Sequence, residues 1–296
     1  MPQKNNLFQK LRLWFYVLRQ NRFRDKLTKR ILKFTSSPEG KKYEAEGAFI
    51  ASHGLTVFPY PFQFNYDRSK VELGFSEEYP YFDYKGKPLF LPKSWSSDKA
   101  KAYANDVLKE QDAQSPHVYN TPLFTLDQED ILLDIGCGDA NFSLESIEKV
   151  KKVFLFESDP KWVIPLDKTF QKWKNKVQFF NRRVGTDLDS IDLSKIKDLA
   201  SQHVVFKIDV DGAEREVLKL IDPLLNQLKS IKVAICTYHQ NQDAKDFEHW
   251  FKTRGFDTSF GKGYMVFHPD AKIKKPFFRP GVLFAYRNSV TSLSNQ

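Results

Sequence analysis

One stretch restricts the fold more than any other: Ile131-Leu132-Leu133-Asp134-Ile135-Gly136-Cys137-Gly138-Asp139-Ala140-Asn141-Phe142. An apolar run breaks into closely spaced glycines and then resumes helical spacing, which predicts strand, tight loop and helix. Glycines at a strand end let a ligand approach the backbone unobstructed, and the new helix offers its N-terminus. Twenty-one positions after Gly136, closing a second apolar run at 153–156, stands Glu157. Folds of this kind place there the acid that holds a ribose diol.

Past Asp130, short apolar runs alternate with helical spacing, at 131–136, 152–157, 177–180, 203–210 and 231–238, with two more at 264–267 and 282–286. The alternation predicts a Rossmann-like α/β domain, a mostly parallel sheet with helices on both faces. Pro269, Pro276 and Pro280 interrupt the chain between the last two runs, so those two are expected to pair antiparallel.

Upstream, Leu7, Leu11, Phe15 and Leu18, then Phe23, Leu27, Ile31 and Phe34, recur at helical intervals among Lys and Arg. One or two basic amphipathic helices are expected over 5–34. Either they contact an anionic membrane or a partner assembly, or their apolar faces pack on the body. Residues 54–92 are rich in Pro, Tyr and Phe, and 81–90 predicts a hairpin turning at Lys85 and Gly86. A helix is expected over 98–111, followed by the loop Ser115-Pro116-His117-Val118-Tyr119, which reaches the glycine turn if the chain folds back. His117 is then a site residue or an ordinary loop histidine. The expected organisation is a basic helical segment (1–45), an accessory lobe with a linking helix (46–120), the α/β domain (121–288) and a polar tail (289–296).

Charge narrows the partners. The chain carries a net +9, while its first 42 residues hold 12 Lys and Arg against Asp25 and Glu39. Basic character confined to one end argues against nucleic acid across the body and assigns any attraction to anionic partners to that segment. The longest uncharged run, 47–66, is interrupted by Gly and Pro, and the cluster at 13–18 is short for a secretory signal. A cytoplasmic protein is expected, with peripheral contact at the inner face of the membrane as the functional reading of 5–34. Two cysteines, Cys137 and Cys236, give no disulfide framework, and both are expected to be reduced and buried.

The third glycine of a dinucleotide fingerprint is replaced by Asn141, which counts against NAD. Asp134, inside an apolar run, needs a positive or hydrogen-bonding partner. The ammonium of S-adenosylmethionine would supply one, and that cofactor has a ribose diol and no phosphate, which suits acids at 134 and 157. Asp134 as a structural carboxylate is the bland alternative. Asp134-Ile-Gly-Cys-Gly138, Asn141-Phe-Ser-Leu144, Phe156-Glu-Ser-Asp-Pro160, Asn181-Arg-Arg-Val-Gly185, Lys207-Ile-Asp-Val-Asp-Gly-Ala-Glu214 and Tyr238-His239, in that order, resemble FkbM-type methyltransferases that use S-adenosylmethionine. The resemblance spans about 130 to 240, with Asp211 where that family usually has glutamate and Cys137-Gly138 where it usually has Ala-Asn. It implies a seven-stranded class I methyltransferase sheet and methyl transfer to an oxygen, often on a sugar, glycan or natural product.

Within that frame, Asp134, Gly136, Gly138, Asn141, Phe142, Glu157, Asn181 and His117 are expected around the cofactor, and Lys207, Asp209 and His239 near the acceptor. His239, at the end of the fifth strand, suits a general base, and Asp209 is the rival base. Asp209 with Asp211 or Glu214 offers an alternative, a divalent cation. The metal-free route is favoured, because Asp211-Gly-Ala-Glu214 also reads as a helix cap. Tyr60, Phe62, Tyr79, Tyr81 and Trp95 either stack on a sugar or form the core of the lobe. The alternatives in function are an NAD-dependent oxidoreductase and a non-catalytic membrane-associated scaffold.

Overall fold

The computed structural model describes residues 4–196 and 199–288, with side chains from Arg19 onward. The expected polar tail lies outside the described residues. The chain divides into two compact units, 1–61 with 264–279, and 62–263 with 280–296. This partition follows contacts, whereas the expected segments followed composition.

Unit 1 begins with a single helix, α1 (Lys4–Thr35), where one or two were expected, and continues through α2 (Glu44–His53). From Leu27 on, the apolar stripe of α1 packs inward: Leu27, Ile31 and Phe34 share a core with Tyr43, Ile50, Val266 and Phe278. The earlier apolar positions, Leu7 to Leu18, carry no described side chains.

Unit 2 opens with a small antiparallel sheet, β1 (Gly74–Ser76), β2 (Tyr79–Tyr84) and β3 (Lys87–Phe90). The hairpin turns where expected: Tyr84 pairs with Lys87, and Lys85 and Gly86 both have positive φ, as a two-residue primed turn requires. The helix α3 (Ser97–Glu110) follows, capped by Ser96, whose hydroxyl accepts the Lys99 N–H.

The large sheet then forms from β4 (Asp130–Ile135), α4 (Asn141–Ser146), β5 (Lys152–Phe156), α5 (Val163–Thr169) and β6 (Val177–Phe180). A short parallel pair, β7 (Arg183–Val184) and β8 (Ser190–Ile191), precedes β9 (His203–Ile208), α6 (Glu214–Ile221) and β10 (Ser230–Cys236). The helix α7 (Asp243–Lys252), β11 (Asp257–Phe260) and β12 (Val282–Asn288) complete it. The spatial order is β11-β12-β10-β9-β4-β5-β6. Strand β12 runs antiparallel to both neighbours while the other pairings are parallel. This is the Rossmann-like α/β sheet that the sequence predicts, seven-stranded and mostly parallel, with α6 and α7 on one face and α4 on the other.

Its central strands β4, β5, β9 and β10 are buried on both sides, as parallel sheets are. Ile131, Leu133, Ile135, Phe154, Phe156, Val204, Phe206 and Ile208 meet Val217 and Leu218 of α6 and Phe247 and Phe251 of α7. By alternation, Asp134 and Lys207 belong to the opposite face. One strand was misplaced in the sequence reading. The run at 264–267 is not in the sheet; polar Asp257–Phe260 fills the edge position, and Val266 is buried in the core of unit 1. An edge strand tolerates polar residues because one flank stays unpaired, so apolar content misleads there.

Candidate active site

Strand order reverses between β4 and β9, and ligands of open α/β sheets bind beyond the carboxyl ends at that point. A cavity of about 970 Å³ opens there. It is lined by the glycine turn, the ends of β5, β9 and β10, and by Trp95, Tyr103, Glu110, His117 and Tyr119 from the segment before the sheet. The volume is at the upper end of the roughly 300–1,000 Å³ of small-molecule sites, room for two ligands of modest size.

The glycine turn is built as its sequence demanded. Gly136 has φ +72°, and a Cβ there would overlap the Asp209 carbonyl oxygen. Gly138 has φ +53° and open space where a Cβ would be, so its backbone is presented bare to the cavity. Its N–H donates to Glu157 Oε2 at 3.1 Å, and Glu157 Oε1 accepts from Asp159 N–H at 2.7 Å. Asp139, which sequence reasoning missed, starts α4 by accepting the Asn141 backbone and side-chain N–H groups at 2.9 and 2.8 Å. An acid two positions before a helix, able to accept from the N–H two residues on, was the available signal. The Asn141 Oδ1, buried in the cavity wall, has no hydrogen-bond partner among the described residues. Phe142 packs its ring 5.4 Å from Tyr119. Asn181, expected at the cofactor, is absent from the lining and donates to the Glu157 carbonyl at 2.8 Å instead.

The positive partner that Asp134 called for is Lys207. Ladder register sets the two side by side on β4 and β9, and Lys207 Nζ lies 3.1 Å from Asp134 Oδ1 and donates to the Gly136 carbonyl at 2.7 Å. Ser143 donates to Asp134 Oδ2 at 2.6 Å. Burial pushes the Lys207 ammonium down, but Asp134 and then Asp209 outweigh it, so its pKa is raised and the side chain stays charged. Lys207 therefore ties the glycine turn to the strands while lining the cavity beside Asp209.

Beyond β9 the acids diverge. Asp209 Oδ2 accepts the Tyr119 hydroxyl at 2.9 Å and lies 3.6 Å from His117 Nε2; Oδ1 lies 3.7 Å from His239 Nε2. Burial pushes Asp209 up, yet the hydrogen bond from His117 and the charges of Lys207 and His239 hold it well below the ordinary carboxylate range. Asp211 is exposed, at φ +52°, and caps nothing, against the capping expectation. Glu214 does close the turn, its Oε1 accepting N–H groups of Val210 and Gly212 at 3.0 and 3.3 Å.

That same Oε1 lies 2.9 Å from His239 Nδ1. A carboxylate oxygen only accepts, so a neutral ring with its hydrogen on Nδ1 would keep its lone pair on Nε2, which lies 3.7 Å from both Asp209 Oδ1 and Asp211 Oδ1. Burial works against the charged ring, but Glu214, Asp209 and Asp211 outweigh it and raise the His239 pKa above 6.5. Ligand atoms of Asp209, Glu214 and His239 lie within 4.8 Å of one another, as do those of His117, Asp209 and Cys236. The capping argument that set a metal aside thus holds for Glu214 and fails for Asp211. Both cysteines are free and buried, and burial pushes their thiols up.

Electrostatically the cavity is acidic, with nine carboxylates in its lining against Lys99, Lys161, Arg183 and Lys207. Lys161 pairs with Asp159 and Lys207 with Asp134. Glu110, also missed, has its carboxyl pushed up to about 7, by burial first and then by Asp209, Asp106 and Asp139 against an opposing His117. Of the five aromatics weighed for stacking, Trp95 alone is in the lining, with Tyr103 at 4.9 Å and Trp162 at 5.8 Å between ring centroids.

No model of a known protein family matches this sequence, and no curated protein is similar to it. Solved structures similar to this chain include an rRNA methylase from Streptococcus thermophilus, 14% identical over 55% of this chain and 90% of that one, TM-score 0.37. Another is a methyltransferase candidate from Streptococcus mutans in complex with SAH, 16% identical over 55% and 91%, TM-score 0.38. A third is precorrin 8W decarboxylase from Methanobacterium thermoautotrophicum, 15% identical over 55% and 83%, TM-score 0.36. At TM-scores this low the likeness carries nothing about cofactor or acceptor.

Proposed function

We propose that the protein is a methyltransferase of FkbM type that uses S-adenosylmethionine to methylate a hydroxyl on a sugar, glycan or natural product. The acid-rich cavity at the reversal of strand order carries this reading. S-adenosylmethionine bears a sulfonium and an ammonium against one carboxylate, so nine lining carboxylates favour it. A pyrophosphate would meet repulsion, which counts against the nicotinamide alternative. The residues fit the group: Glu157 for the ribose diol, bare Gly138 for backbone approach, and the unpaired Asn141 Oδ1 for an N–H or O–H donor.

When bound, the sulfonium supplies an electrophilic methyl and leaves as a neutral thioether. The chain must then align the acceptor, exclude water and take a proton. Asp209, fully ionised, orients the acceptor hydroxyl through a hydrogen bond. His239 is outside the cavity lining, with its Nε2 3.7 Å from Oδ1 of the lining Asp209, and takes the proton by way of that carboxylate. Lys207 is a positioning residue that fixes Asp134 and the glycine turn. His117 and Tyr119 hold Asp209, and Trp95 with Tyr103 and Trp162 offers an aromatic wall to a sugar or adenine face.

Calorimetry with S-adenosylhomocysteine tests the cofactor. One site is expected, weakened about tenfold to a hundredfold by Glu157→Ala, the cost of hydrogen bonds to a charged group. No heat from the wild-type protein at high concentration would sink the proposal. A methyl-release assay against deoxysugar nucleotides, lipid-linked glycans and small phenols then assigns the acceptor.

A further inference from the structure

Five cations of α1, Arg19, Arg22, Lys26, Lys29 and Lys33, are spaced three and four residues apart, which places them on one face of the helix. All five are exposed, and none has an ion pair among the described residues. At 1.5 Å per residue they form a straight row about 21 Å long. The other face fixes its direction, because Leu27, Ile31 and Phe34 are held in the core of unit 1. The whole helix holds ten Lys and Arg and a single acid, Asp25. Like charges at this spacing repel, and an anionic surface outside the unit would relieve the repulsion.

From this row we infer that unit 1 docks on an anionic lipid bilayer, the row facing the headgroups. Charge complementarity requires an anionic partner, and the helix itself selects a planar one. A straight rod meets a flat surface along its full length, whereas a nucleic-acid backbone curves away from it. The same helix continues toward its start through a sequence rich in Leu7, Phe8, Leu11, Trp14, Phe15 and Leu18, with only Lys10 and Arg12 charged between Leu7 and Leu18. That sequence, apolar and aromatic beside a basic stretch, has the composition of segments that attach to a bilayer surface by two signals. Among the described residues no helix is long and apolar enough to cross a membrane, so the contact is interfacial. The inference is independent of the proposed methyl transfer.

Flotation of the full chain with phosphatidylcholine vesicles, with and without phosphatidylserine, tests it. Binding is expected only to the vesicles containing phosphatidylserine, and is expected to weaken as salt rises. Neutralising the row (R19Q, R22Q, K26Q, K29Q and K33Q together) should weaken it by about fivefold per residue and about three thousandfold in all. R19K with R22K, which keeps the charge, should bind as wild type. Circular dichroism confirms that the exposed substitutions leave the fold intact. Equal binding to vesicles without phosphatidylserine, unchanged binding by the neutralised protein, or capture by RNA with no binding to either vesicle would overturn the inference.

Discussion

The two units of this chain carry opposite electrostatics. Unit 1 has 16 Lys and Arg against five Asp and Glu, a net of +11, while unit 2 has 30 against 32. In unit 1 the charge is spread along an exposed helix face; in unit 2 nine carboxylates converge in one cavity. Extended positive charge suits a broad anionic partner. Concentrated negative charge in a concave site suits a small cation. A net charge quoted for the whole chain hides both, and the difference separates the proposed docking face from the proposed site of methyl transfer.

The sharpest way to break this separation is at His239. His239→Ala should lower turnover by about a hundredfold to ten-thousandfold, the range for removing a general base, with S-adenosylhomocysteine affinity and vesicle binding unchanged. In the wild type, kcat should rise with pH through a midpoint above 6.5, because the raised pKa keeps the ring protonated below it. Full turnover by the variant across about pH 6 to 9, a range bracketing the imidazole pKa, removes His239 as the base. Transfer of that role to Asp209, the rival, would then be read from Asp209→Asn.

A second test concerns stability within unit 2. Lys207 and Asp134 are buried, at 6% and 1% side-chain exposure. Lys207→Met leaves Asp134 charged without its cation and should cost about 3–5 kcal/mol, and adding Asp134→Leu should recover much of it. Urea denaturation measures both. A single variant as stable as wild type would mean that the pair does not hold the glycine turn. Vesicle binding through unit 1 should survive in the native-state population of either variant.

Much of this arrangement was legible in the sequence, and the rest was hidden for definite reasons. Strand, glycine turn and helix at 130–146, the hairpin at Lys85 and Gly86, and α3 follow from local periodicity and turn chemistry, which act over a few residues. The partner of Asp134 was hidden because Lys207 arrives through strand register 73 positions away. The loop of His117 and Tyr119 was expected at the glycine turn, but Tyr119 itself and Glu110 of α3 were not read as site residues, because neither stands in a cofactor pattern. Strand β11 was missed because apolar content drew attention to 264–267, which belongs to another core. The charge of 1–42 was plain, but the contribution of Lys272, Lys274 and Lys275 to the same unit required the fold.

The smallest expected effect sets the two units directly against each other through pH. In unit 2, Glu110 titrates near 7 where its ordinary value is 4.5. A group raised in this way contributes stability that is fully present below 4.5 and lost as pH rises through 7. In unit 1, His268 is lowered from 6.5 to about 4, by burial first and then by Arg24, whose Nη1 lies 3.1 Å from its Nε2. Its neutral form is favoured in the folded state, so its contribution is present above 6.5 and lost as pH falls through 4. Each contribution is on the order of 1 kcal/mol, that of His268 reduced further by solvent screening. Hydrogen exchange read separately over the two units measures them as differences from Glu110→Gln and His268→Gln. Between pH 4 and pH 7 the Glu110 difference should shrink and the His268 difference should grow as pH rises. Differences that move in the same direction would overturn the raised pKa of Glu110 or the lowered pKa of His268.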